Sequence, residues 1–104
     1  MKIIEGNANS FKSEVLESKI PVLVDFNATW CGPCRMLGPI LEEVAQENDS
    51  FKIVSIDVDE NEDLAGEYGV SSIPCLVLFK DGKESSRSVG LMGKEDLLDF
   101  IGDK

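Results

Sequence analysis

The run Val22-Leu23-Val24-Asp25-Phe26 constrains this chain more than any other segment. It is rich in β-branched and aromatic residues and nearly all apolar, so it reads as a strand. An alternating strand would leave one face to solvent, whereas this one needs cover on both faces. That is the habit of a central strand in a sheet with helices on either side. Its single polar member, Asp25, is therefore drawn inward with it. The other reading of Asp25 is an exposed carboxylate at a strand end.

The remaining elements fall into place around that strand. Ser10 to Leu16 reads as a helix start, with Phe11 and Val15 on one face and Asn9 or Ser10 as cap. After Trp30-Cys31-Gly32-Pro33-Cys34, the stripe Met36, Leu37, Ile40, Leu41 and Val44 predicts a second helix, with Pro39 expected to kink it. Lys52–Val58 and Cys75–Phe79 read as buried strands, and Asp63–Tyr68 as a short helix ended by Gly69. Asp81-Gly82 is a type I′ hairpin signal, which makes Glu84–Val89 a paired edge strand with polar outer residues. Lys94–Ile101 closes the series as an amphipathic helix. Helix, strand, helix, strand, helix, hairpin, helix describes an α/β sandwich, with a parallel part and an antiparallel end. At 104 residues, 1–104 is expected to form one domain.

Composition narrows the function. Lys and Arg number 10 against 20 Asp and Glu, a net charge of −10. Such a surface repels phosphate backbones and anionic lipid, so no nucleic-acid or membrane role is expected. The first residues turn polar before an apolar leader develops, and a cytoplasmic setting is expected. The chain has no His, the commonest general base and metal ligand. Its three cysteines are an odd number, unlike a disulfide scaffold.

Cys31 and Cys34 carry the chemistry. Their spacing at a predicted helix start puts both sulfurs on one face, within disulfide reach. Free N–H groups and the positive dipole end there favour a thiolate, and Arg35 adds a cation. Cys31, at the tip, is expected to be the exposed nucleophile and Cys34 the sheltered resolving thiol. An ordinary thiol of pKa about 8.5 is roughly 3% ionised at pH 7, and lowering it to about 7 gives roughly 50%. Reduced nucleophilicity takes back about fivefold of that gain and leaves only about threefold. The second cysteine is the larger lever, because its attack is intramolecular, with effective molarities that reach about 10⁵ M or more. A zinc site wants more N or S ligands than this chain supplies, and haem attachment needs His where Arg35 stands. No metal is expected.

Trp30-Cys31-Gly32-Pro33-Cys34, with Val22–Phe26 before it and Pro39, Ile73-Pro74 and Phe79-Lys80-Asp81-Gly82 after it, resembles the thioredoxin family over nearly the whole chain. The resemblance implies a thioredoxin fold, a five-stranded mixed sheet flanked by four helices. It implies dithiol–disulfide exchange with protein disulfides, a monomer without bound cofactor, and a thioredoxin reductase as the partner that recharges the dithiol. It implies a cis bond at Ile73-Pro74. It gathers Trp30, Gly32, Pro33, Ile73, Pro74, Val89 and Gly90 into a flat, apolar substrate patch, and it makes Asp25 a buried acid that exchanges a proton with Cys34. The competing function is a redox-silent binding subunit that docks a partner on the same patch.

Four positions depart from the family pattern. Ser55 stands where a Lys is common, which should raise the pKa of Asp25 further. Asn27 replaces an aromatic and loosens the packing beneath the site, and Leu91 replaces a small residue at the patch rim. Cys75 replaces a Thr directly after Pro74, and is expected near Cys31. It is either a small buried hydrophobe or a third thiol.

Overall fold

The computed structural model describes residues 2–102. Five strands form one sheet in the order β1-β3-β2-β4-β5: β1 (Ile4–Glu5), β2 (Val22–Asn27), β3 (Lys52–Asp57), β4 (Cys75–Lys80) and β5 (Lys83–Val89). β3 is parallel to β1 and β2, while β4 is antiparallel to β2 and β5. The helices are α1 (Gly32–Glu47), α2 (Glu62–Glu67) and α3 (Lys94–Ile101), and a π-helical segment spans Lys12–Leu16. This is the expected five-stranded mixed sheet with four helical elements.

β2 is buried from Val22 to Phe26. Because side chains alternate along a strand, it feeds two cores. Val22, Val24 and Phe26 pack with Phe11, Val15, Leu64, Cys75, Val77 and Phe79 on one face. Leu23 packs with Leu37, Leu41 and Val44 of α1 and with Leu97 and Ile101 of α3 on the other. Tyr68 bridges Phe11 and Phe79, with ring centroids 5.3 and 5.5 Å away, and so ties the segment after α2 to the first core. Lys94 reaches Glu43 and Glu47 of α1 at 3.0 and 2.7 Å, across the outer seam of the second core.

Some expectations need correction. β1 has no counterpart in the reading of local pattern; it is two residues long, and it exists because it pairs with β3. Neither Asn9 nor Ser10 caps the first helical segment. Asn7 Oδ1 instead accepts the N–H groups of Asn9 and Ser10, which spends them in a turn. α1 starts earlier than its apolar stripe and runs through Pro39, which gives no N–H to the Arg35 carbonyl. Met36 is 63% exposed, so it stands outside the stripe that buries Leu37, Leu41 and Val44.

The hairpin follows its sequence signal. Asp81 has φ 54° and Gly82 φ 78°, the pair of positive values that a type I′ turn requires. A Cβ at Gly82 would lie 2.6 Å from the Leu16 carbonyl oxygen, so the turn also needs the missing side chain for close packing. Gly82→Ala is therefore expected to destabilise the protein by about 2 kcal/mol. Urea unfolding would show this as a lower midpoint at an unchanged slope, and an unchanged midpoint would contradict it.

Candidate active site

β2 ends at Asn27, and the chain turns through Ala28–Trp30 into the N-terminus of α1. Cys31 is the N-cap residue, with extended backbone, and Cys34 lies in the first turn. The two form a disulfide, with Cα atoms 5.3 Å apart. The Cys34 N–H donates to Cys31 Sγ at 3.2 Å. One of the orphan amides of the helix start is thus spent on the first sulfur, where negative charge appears on reduction. Pro33 sits among the first residues of the helix, where its missing N–H costs nothing.

The expected contrast in exposure is not found. Cys31 is 5% exposed and Cys34 7%, so both are buried and accessibility does not separate them. Cys31 is covered because Ala28, Val58 and Ile73 pack around the pair. The Ile73 carbonyl oxygen lies 3.9 Å from Cys31 Sγ, a contact rather than a hydrogen bond, since a disulfide sulfur has no proton to give. What does separate the two sulfurs is their surroundings. Cys31 Sγ receives the helix amide, while Cys34 lines a cavity of about 270 Å³ together with Asp25, Asn27, Ser55, Glu5, Arg35 and Glu42.

Asp25 is buried at 6% exposure. Burial pushes its carboxyl up from 3.8 to about 6, a hydrogen bond from Asn27 opposes the rise, and the charge of Glu5 adds to it. Oδ2 accepts from the Asn27 amide at 3.2 Å, and Oδ1 has no hydrogen-bond partner among the described residues.

Around the pair, Trp30 is 69% and Val89 58% exposed, and Gly32 and Pro33 are exposed as well. Ile73 and Gly90 are half-buried. Pro74 does not belong to the open surface: it is buried, and its carbonyl accepts the Gly90 N–H at 2.8 Å. The Ile73-Pro74 bond is cis, as the resemblance implied. Leu91, at 42% exposure, extends the apolar surface beyond Val89. Sequence reasoning missed Asp59, whose Oδ2 accepts the Trp30 indole N–H at 2.7 Å and so holds an otherwise exposed ring. Nothing local signals that pairing, which spans the turn after β3.

Of the two readings of Cys75 the small buried hydrophobe holds, but it does not pack with Cys31 as expected. It is 1% exposed and packs with Phe26, Val77 and Phe79 in the core on the far face of the sheet. Alternation along β4 turns it away from the α1 side. Burial pushes its thiol up, the opposite of activation.

The raised carboxyl has a consequence for stability. The folded chain binds the Asp25 proton more tightly than the unfolded chain, so a penalty sets in above pH 3.8 and is complete above about 6. Its size follows from the shift, on the order of 2–3 kcal/mol. Asp25→Asn is expected to stabilise the disulfide form by that order at about pH 8 and to have little effect near pH 3.5. Denaturant midpoints across that range check it; a pH-independent difference would contradict it.

Comparison with known proteins agrees with this geometry. A family model described as Thioredoxin matches residues 2–103. Thioredoxin of Bacillus subtilis is 50% identical over 102 residues, 97% of this chain and 96% of that protein. Thioredoxin 1 of Synechococcus elongatus is 53% identical over 93 residues, 88% and 87% of the two chains. Thioredoxin of Rickettsia typhi is 52% identical over 93 residues, 88% and 89%. With a match along nearly its full described length and a disulfide where the motif predicts one, the chain belongs to the thioredoxin family.

Proposed function

We propose that this chain is a general reductant of protein disulfides, working by thiol–disulfide exchange through Cys31 and Cys34. The disulfide between these residues at the N-terminus of α1 carries the reading. In the reduced protein the Cys31 thiolate attacks one sulfur of a substrate disulfide. A mixed disulfide forms, and the other substrate sulfur leaves as a thiolate that takes a proton from solvent. The Cys34 thiol then gives its proton to Asp25, directly or through a water in the cavity they share, and its sulfur attacks Cys31 Sγ. That step closes the Cys31–Cys34 bond and expels the second substrate thiolate. Two electrons have passed to the substrate, and the pair is returned to the dithiol by a thioredoxin reductase.

Each role rests on a surrounding. The Cys34 amide stabilises charge on Cys31, and a carboxyl held near 6 can accept a thiol proton at neutral pH and give it back in the reverse step. Trp30, Gly32, Pro33, Ile73, Val89 and Gly90 form the docking surface, with Leu91 at its rim and buried Pro74 as its floor. The glycines leave room for a partner backbone. No helix among the described residues is long and apolar enough to cross a membrane. A monomer in a reducing cytoplasm, where a reductase keeps the pair open, is the setting this reading calls for.

Insulin reduction driven by dithiothreitol tests the proposal. Wild type is expected to accelerate precipitation over reductant alone. Cys34→Ser is expected to lose turnover by more than about 100-fold and to accumulate a covalent adduct through Cys31, since the intramolecular step is gone. Cys31→Ser is expected to form no adduct. A wild-type protein that gives no acceleration would contradict the reading.

A further inference from the structure

Among the cavity's polar side chains that the mechanism leaves unused, Asn27 is the one that touches the Asp25 carboxyl. Asn27 lies two positions beyond Asp25 on β2, and so on the same side of the sheet. Its amide Nδ2 lies 3.2 Å from Asp25 Oδ2, 2.9 Å from the Asp25 carbonyl oxygen and 2.8 Å from Ser55 Oγ. Ser55 is the register partner of Asp25 on β3. One carboxamide therefore spans the β2–β3 seam beside the carboxyl, with one end of the bridge fixed on the neighbouring strand. Asn27, Ser55, Asp25 and Cys34 all line the same cavity. Of the two carboxyl oxygens, the one that Asn27 grips is satisfied, and the other is buried without a partner.

We infer that Asn27 is a positioning residue for the proton step at Cys34: anchored on Ser55, it holds Asp25 Oδ2 and leaves Oδ1 as the atom that exchanges the proton. This deepens the reductase reading and rests on it. The group facing the carboxyl is the amide nitrogen, a donor only, so the contact favours the carboxylate over the acid and works against desolvation. The neighbouring ionisable groups are Glu5 from β1, Cys34, Arg35 and Glu42 from α1, and Cys75 from the opposite face of β4. Among the described residues, Asn27 is the side chain that donates to this carboxyl. With neutral Ser55 as anchor, orientation comes from a hydrogen bond rather than from a cation.

Two readouts test this. The first is the titration of the Asp25 carboxyl carbon by NMR in the oxidised protein. The second is the pH profile of Cys31–Cys34 disulfide closure when the reduced protein meets a small disulfide in a single turnover. Asn27→Leu and Asn27→Ala differ in bulk, but both remove the donor. Each is expected to move the Asp25 midpoint up by about one pH unit and to carry the closure profile with it. In an Asp25→Asn background the same substitutions are expected to leave the profile in place, which a packing defect would not do. An Asp25 midpoint unmoved in both folded variants overturns the inference, as does an equal displacement of the profile without Asp25. A wild type that reduces no disulfide at any pH removes the role at Cys34 together with the reading beneath it. An unmoved midpoint in an active protein removes the Asn27 assignment alone.

Discussion

β2 has no free side. β3 and β4 take its hydrogen bonds, and a hydrophobic core covers each face. Every fully buried Val, Leu or Phe on it contributes roughly 1.5–3 kcal/mol, enough in sum to carry a buried carboxyl. The same burial fixes where the strand ends, and so where α1 begins. The disulfide, the helix amide on Cys31 and the cavity that Asp25 shares with Cys34 are all consequences of seating this one strand.

The site works by giving two identical groups different surroundings. Cys31 meets the backbone dipoles of a helix start, which favour its anion over its thiol. Cys34 faces a cavity with a carboxyl that is poised near 6. One sulfur is thus prepared to be a thiolate and the other to become one on demand. No histidine takes part, since the chain has none.

Much of this was legible in the sequence where the determining physics is local. The apolar run at Val22 needs two-sided cover whatever its neighbours are, and Asp81-Gly82 needs positive φ in any hairpin. The Cys spacing required only a helix start. Pairing between strands distant in sequence was not legible. β1 is too short to carry a pattern, and the Asn27–Ser55 bridge depends on the parallel register that sets Asp25 beside Ser55. Burial of Cys31 came from Ala28 and the Ile73 loop, which meet only in the folded chain. Cys75 is a different case: period-two alternation with Val77 and Phe79 in its own strand already turned it to the far face. Closeness to Pro74 in sequence suggested the wrong neighbour.

Equilibrating the protein in dithiothreitol buffers of graded potential, then quenching and mapping its thiols by mass, addresses the central claim directly. A single two-electron transition in which residues 31 and 34 lose their thiols together, with residue 75 still reduced at every potential, is the predicted result. Separate oxidation of the two positions, or a bond that recruits residue 75, would contradict it.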